Sequence, residues 1–82
     1  MYKRLQKKYK QHLQLDLHGV THDLVSDLVE DFILENQYDL PLKIITGNSD
    51  KMKKIVVHIL KTYQFNYSEG DYYNRGYIDV LN

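Results

Sequence analysis

The apolar residues of this chain change period from two to about 3.6 and back, twice, and few architectures accept that rhythm. Leu13 to Leu17 (LQLDL) alternates apolar and polar, the pattern of a strand covered on one face. From His22 to Asn36, Leu24, Val25, Leu28, Val29, Phe32 and Ile33 recur at helical spacing, with Asp23, Asp27, Glu30, Asp31 and Glu35 on the other side. Thr21 suits the N-cap of this helix and Asp23 the positive end of its dipole. The NQYDLP stretch is expected to end it, because the residue before Pro41 is pushed out of helical geometry. Leu42 to Thr46 (LKIIT) predicts a second, buried strand stopped by Gly47. Met52, Ile55, Val56, Ile59, Leu60 and Tyr63 predict a second helix, capped by Asn48 or Ser49 and basic through Lys51, Lys53, Lys54 and Lys61. Phe65 to Ser68 reads as a third strand, EGDYYNRG as turns, and Tyr77 to Leu81 as the last strand.

That order predicts an α/β two-layer sandwich, β-α-β-α-β-β, with a mixed four-stranded sheet and two main helices. Each strand-helix-strand unit implies parallel pairing, and two helices suffice to cover one face of the sheet, leaving the other open. At 82 residues one core is all the chain can hold, and with no cysteine it has neither a disulfide framework nor a thiolate ligand. No signal-peptide pattern and no membrane-length apolar run is present, so the expectation is a soluble, intracellular, cytoplasmic protein without a membrane partner.

The formal net charge of zero conceals an asymmetry. Residues 1–12 carry five of the eleven Lys/Arg and no acid, leaving six basic against eleven acidic residues in 13–82. The chain therefore divides into a basic N-terminal arm (1–12) and a domain (13–82). Such an arm commonly meets nucleic acid or an acidic protein; the plainer reading is a solvated tail or a helix start with Leu5 and Tyr9 four residues apart.

Ligands of parallel-stranded sheets tend to bind beyond the carboxyl ends of the strands, and both informative loops fall there. The first strand ends in Asp16, His18 and Gly19, the second in Thr46, Gly47, Asn48 and Ser49 before a helix. A helix start offers free backbone N–H groups to an anion such as phosphate, and Lys51, Lys53 and Lys54 add positive charge. The plainer readings are a strand terminator for Asp16, a loop residue for His18, an ordinary cap for TGNS and a solvated face for the lysines. Tyr72, Tyr73 and Tyr77 could stack on bases or complete the core. Asp16, His18 and His22 look superficially like metal ligands, but Gly19 breaks the helical spacing the histidines would need. No tightly bound cofactor is expected; Mg2+ or Mn2+ held loosely between Asp16 and a substrate phosphate is the cation that fits best.

Taken together, LDLHGVTHDLVSDLVEDFI, LKIITGNS with its basic helix, and NRGYIDVLN resemble the small MutS-related (Smr) domain over about residues 13–82. The family's L-D-L-H motif falls on Leu15, Asp16, Leu17 and His18, with Gly19 following. Its H-G-x-G loop falls on Thr46, Gly47, Asn48 and Ser49, and its last glycine on Gly76 beside Arg75. Thr46 stands where histidine is frequent and Ser49 where the second glycine is expected, so a loop histidine cannot cleave here. The resemblance implies a two-layer α/β fold similar to the carboxyl-terminal domain of a bacterial translation initiation factor. It also implies nucleic-acid binding and, in some members, endonuclease activity.

These readings converge on an expectation: a nucleic-acid-binding domain that hydrolyses phosphodiesters, with Asp16 and His18 catalytic. Gly19, His22, Thr46, Gly47, Asn48, Ser49, Lys51, Lys53, Lys54 and Arg75 are expected to bind nucleic acid. Histidine is the side chain that changes protonation near neutral pH, which suits it to acid-base work. The alternatives are a non-catalytic RNA- or DNA-binding module, or a protein-interaction domain working with a partner protein. No base-reading motif distinguishes DNA from RNA.

Overall fold

In the computed structural model, which describes residues 13–70 and 74–82, the expected order is observed. The elements are β1 (Leu13–Asp16), α1 (His22–Glu35), β2 (Leu42–Ile45), α2 (Asp50–Thr62), β3 (Tyr67–Glu69) and β4 (Tyr77–Val80). Residues 1–12, with the basic arm, and Tyr72 and Tyr73 lie outside the described residues. The four strands form one mixed sheet in the order β1-β2-β4-β3. β1 runs parallel to β2, while β4 is antiparallel to both β2 and β3. The last strand thus inserts between β2 and β3, so the two strands flanking α2 are not neighbours.

Burial alternates along the central strands. Leu42 and Ile44 of β2 and Ile78 and Val80 of β4 are fully buried, whereas Lys43, Ile45, Tyr77 and Asp79 are half-exposed. Both helices therefore cover one sheet face, and the second strand is buried on that side only. On the open face Lys43 faces Asp79 across the β2–β4 pair, its Nζ 4.0 Å from the carboxylate and 3.8 Å from the centre of the Tyr77 ring. Cross-strand and diagonal neighbours like these are the contacts a polar sheet face can make.

The helix stripes are narrower than their periodicity implies. In α1 Val25, Val29 and Ile33 are buried, but Leu24 and Leu28, expected in the core, are 53% and 39% exposed. The strip of Val25, Val29 and Ile33 is buried, and the flank beside it is only partly covered. The helix runs to Glu35 and ends, as expected, at the start of the NQYDLP stretch, where both the backbone and the side-chain amide of Asn36 donate to the Phe32 carbonyl, at 3.2 and 2.8 Å. In α2 Met52, Val56, Ile59 and Leu60 are buried. No helix among the described residues is long and apolar enough to cross a membrane.

The two helices are tied at the surface by the Tyr63 hydroxyl, which donates to Glu30 Oε2 at 3.0 Å. That hydrogen bond, then desolvation and the carboxylate's charge, hold the phenol above its ordinary value of 10.0. A raised folded-state value means that the contribution is present below the unfolded value and lost as pH rises through the folded one. Melting temperature is therefore expected to fall more steeply above about pH 10 in the wild type than in Tyr63→Phe. Parallel thermal melts between pH 8 and 11.5 check this, and identical profiles would remove the tyrosine from the alkaline response.

Candidate functional site

Three separate chain segments meet at the edge formed by the carboxyl ends of β1 and β2. The parallel register pairs Asp16 with Ile45 and continues one step further, since the Leu17 amide donates to the Ile45 carbonyl at 2.9 Å. The loops after the two strands are therefore side by side, as their order in sequence led us to expect. The third segment is the start of β4. The Gly76 carbonyl accepts from both the Thr46 and the Gly47 amides at 2.9 Å, which fixes Arg75 beside the second loop.

The first loop is a tight turn. The Val20 amide donates to the Leu17 carbonyl at 3.0 Å, and Gly19 has φ of +79°, the conformation a type II turn requires at its third position. Leu17 is fully buried beneath it, while Asp16, His18 and His22 are exposed. Asp16 Oδ1 accepts from the His18 backbone N–H at 2.9 Å, so the carboxylate braces the turn from an exposed position. Asp16 thus bonds to the main chain of His18 rather than to its imidazole. β1 ends at Asp16 and His18 lies in the turn, so strand alternation, which suggested a shared face for the two side chains, does not extend to the histidine.

In the second loop Thr46 is only 4% exposed, and its Oγ1 donates to the Gly47 carbonyl at 2.9 Å. It shapes the loop from below. Gly47 has φ of +68° and Asn48 is exposed. Ser49 rather than Asn48 is the cap, its Oγ accepting from the Met52 amide at 3.1 Å. Ser49→Ala is expected to cost about 1 kcal/mol, measurable by urea denaturation, because it strips an orphan donor of its partner. Lys51 and Lys54 are exposed and Lys53 half-buried on the first turns of α2, where Asp50 also places a carboxylate.

The start of α1 lies at this same edge, with Thr21 as its N-cap but no side-chain hydrogen bond closing it. Two helix starts, an imidazole, a carboxylate and a guanidinium therefore share one end of the sheet. Among the described residues no three His, Asp or Glu side chains cluster as a metal site. Sequence reasoning missed Asn74, whose Oδ1 accepts from the Gly76 amide at 2.8 Å and so sets the bend that presents Gly76 to the second loop. The N-x-G spacing of Asn74 and Gly76 was the available signal, being the same i to i+2 bond that Asp16 makes.

Fold and site together define a small two-layer α/β domain with a polar, mixed-charge edge beyond its parallel strands. No family model, no curated protein and no solved structure matches this chain.

Proposed function

We propose that this chain is an Smr-type nucleic-acid-binding domain that hydrolyses phosphodiester bonds at the edge shared by β1 and β2. The observation that carries the reading is the convergence of residues 16–19, 46–49 and 75–76, held by the β1–β2 register and the Gly76 carbonyl. Phosphoryl chemistry depends mainly on positioning and on neutralising developing negative charge. Arg75, Lys51 and the first amides of α2 suit that role, with Gly19 and Gly47 allowing a close approach of backbone to phosphate. His18, exposed and without a side-chain hydrogen bond among the described residues, serves as general acid or base. The exposed carboxylate of Asp16 would hold a water, or a Mg2+ or Mn2+ ion that neutralises charge on the substrate phosphate.

A second reading, a binding module without chemistry, is favoured by the use of one Asp16 oxygen in the turn and by the burial of Thr46. Incubation with structured RNA, single strands and duplex DNA, with and without magnesium or manganese, separates the two. Cleavage products support hydrolysis; binding without products supports the module; neither supports a protein-interaction domain. Removal of residues 1–12 is expected to weaken binding. It should also reduce the slope of log K against log salt by about 0.7–0.9 for each arm charge that meets a phosphate. An unaltered slope would show that the arm is no electrostatic anchor.

A further inference from the structure

Away from the loop edge, α2 and β3 flank a shallow, open groove of about 380 Å³ lined by Asp50, Lys53, Lys54, Val57, His58, Lys61 and Glu69. The helical residues fall on one face of α2, over a rise of about 16 Å. Glu69 forms the facing wall because it pairs with buried Ile78 and so points to the helix side of the sheet. Among the described residues, none of the three lysines lies within the 4.0 Å at which Lys43 meets Asp79 of any carboxylate. The groove thus holds cations that are near carboxylates without being neutralised by direct pairing.

We propose that this groove seats a single strand of nucleic acid, with Lys53, Lys54 and Lys61 on phosphates and Val57 and His58 against a base. Cationic groups separated by an apolar and a planar side chain match an unpaired strand, whose charge and ring faces alternate along its length. The two carboxylates sharpen the assignment. They would repel a pure polyanion, but they accept hydrogen bonds from exocyclic amino groups, as acidic side chains do from cytosine N4. The favoured strand is therefore rich in amino-bearing bases, whose exocyclic groups offer two N–H donors where uracil or thymine offers the single N3–H. A duplex keeps its bases stacked and paired, so it has no free base to set against Val57 and His58.

This assignment rests on the nucleic-acid reading above, and titration by fluorescence anisotropy tests the two apart. The probes are a labelled 12-nucleotide oligo(C), an oligo(U) of the same length and a hairpin duplex, with thermal melts establishing that each variant is folded. The full chain is expected to bind oligo(C) at least fivefold more tightly than oligo(U) or duplex. His58→Ala is expected to weaken oligo(C) binding at least fivefold, and Lys61→Gln to weaken it and reduce the salt slope by about 0.7. Both side chains are exposed and belong to the groove but not to the loop edge. Wild-type affinity in both variants overturns the groove and leaves the nucleic-acid reading standing. Equal affinity for oligo(U) overturns the role of the carboxylates, and equal affinity for duplex overturns the single strand. No binding of any probe by the wild type overturns the nucleic-acid reading, and the groove with it.

Discussion

Replacing His18 by alanine is expected to reduce phosphodiester cleavage by about 10²–10⁴-fold, the usual worth of a positioned general acid or base, while leaving the fold unchanged. The imidazole is exposed and only the backbone N–H of His18 is used structurally, so stability should shift by no more than about 0.5 kcal/mol. Asp16 requires a subtler pair of variants because its carboxylate supplies both an acceptor for the His18 amide and a charge. Asp16→Asn keeps an acceptor for the His18 amide and removes the charge; Asp16→Ala removes both. Cleavage should fall in each, but only the alanine variant should also melt earlier. Initial rates on the best substrate of the nuclease screen, read beside melting curves, decide it. Wild-type rates in both His18→Ala and Asp16→Asn would leave the opening strand with a purely structural role.

The architecture was legible in the sequence because the switch between periods two and 3.6 is a direct imprint of strand and helix geometry. A cap at Asn48 or Ser49 and the glycines at the strand ends were legible for a similar reason, each being a local requirement satisfied within a few residues, though the choice of Ser49 came from the structure. Features decided by tertiary fit were not. Leu24 and Leu28 share the helical stripe with Val25 and Val29, and only the width of the sheet contact determines that they stay outside. The end of α2 is closed by bonds from the Phe65 amide to the Leu60 carbonyl, at 2.8 Å, and from the Gln64 amide to that of Lys61, at 3.1 Å. Gln64 stands there at φ of +63°, where a glycine would have announced the motif. The insertion of β4 beside β2 joins residues more than thirty apart, and it is this insertion that brings Arg75 and Gly76 to the second loop. In the same way the grouping at one edge follows from parallel pairing, whereas the inward turn of Thr46 and the bracing bond of Asp16 depend on the finished loop.

Gly70→Ala is expected to be the most damaging glycine replacement, and its effect should reach the loop edge. Gly70 has φ of +60°, and a Cβ there would lie 2.5 Å from the Asn74 carbonyl oxygen and 2.6 Å from Arg75 Cα. Both are backbone atoms, so no side chain can swing aside and the link between β3 and β4 must open. Left-handed strain of about 1–2 kcal/mol and overpacking of about 1–3 kcal/mol add to a loss of several kcal/mol. At about 0.05–0.15 kcal/mol per residue, a chain of 82 residues has roughly 4–12 kcal/mol to lose, so the variant should sit near its folding threshold. Gly19→Ala is the control: its φ is also positive, +79°, but a Cβ there meets nothing within 4 Å, so only the strain remains. Opening at Gly70 should also draw the Gly76 carbonyl away from the Thr46 and Gly47 amides. Hydrogen exchange read at those two amides should accelerate in Gly70→Ala well beyond its acceleration in Gly19→Ala. Equal destabilisation of the two variants, or protection of the Thr46 and Gly47 amides that survives in Gly70→Ala, would mean that the β3–β4 link does not hold the second loop in place.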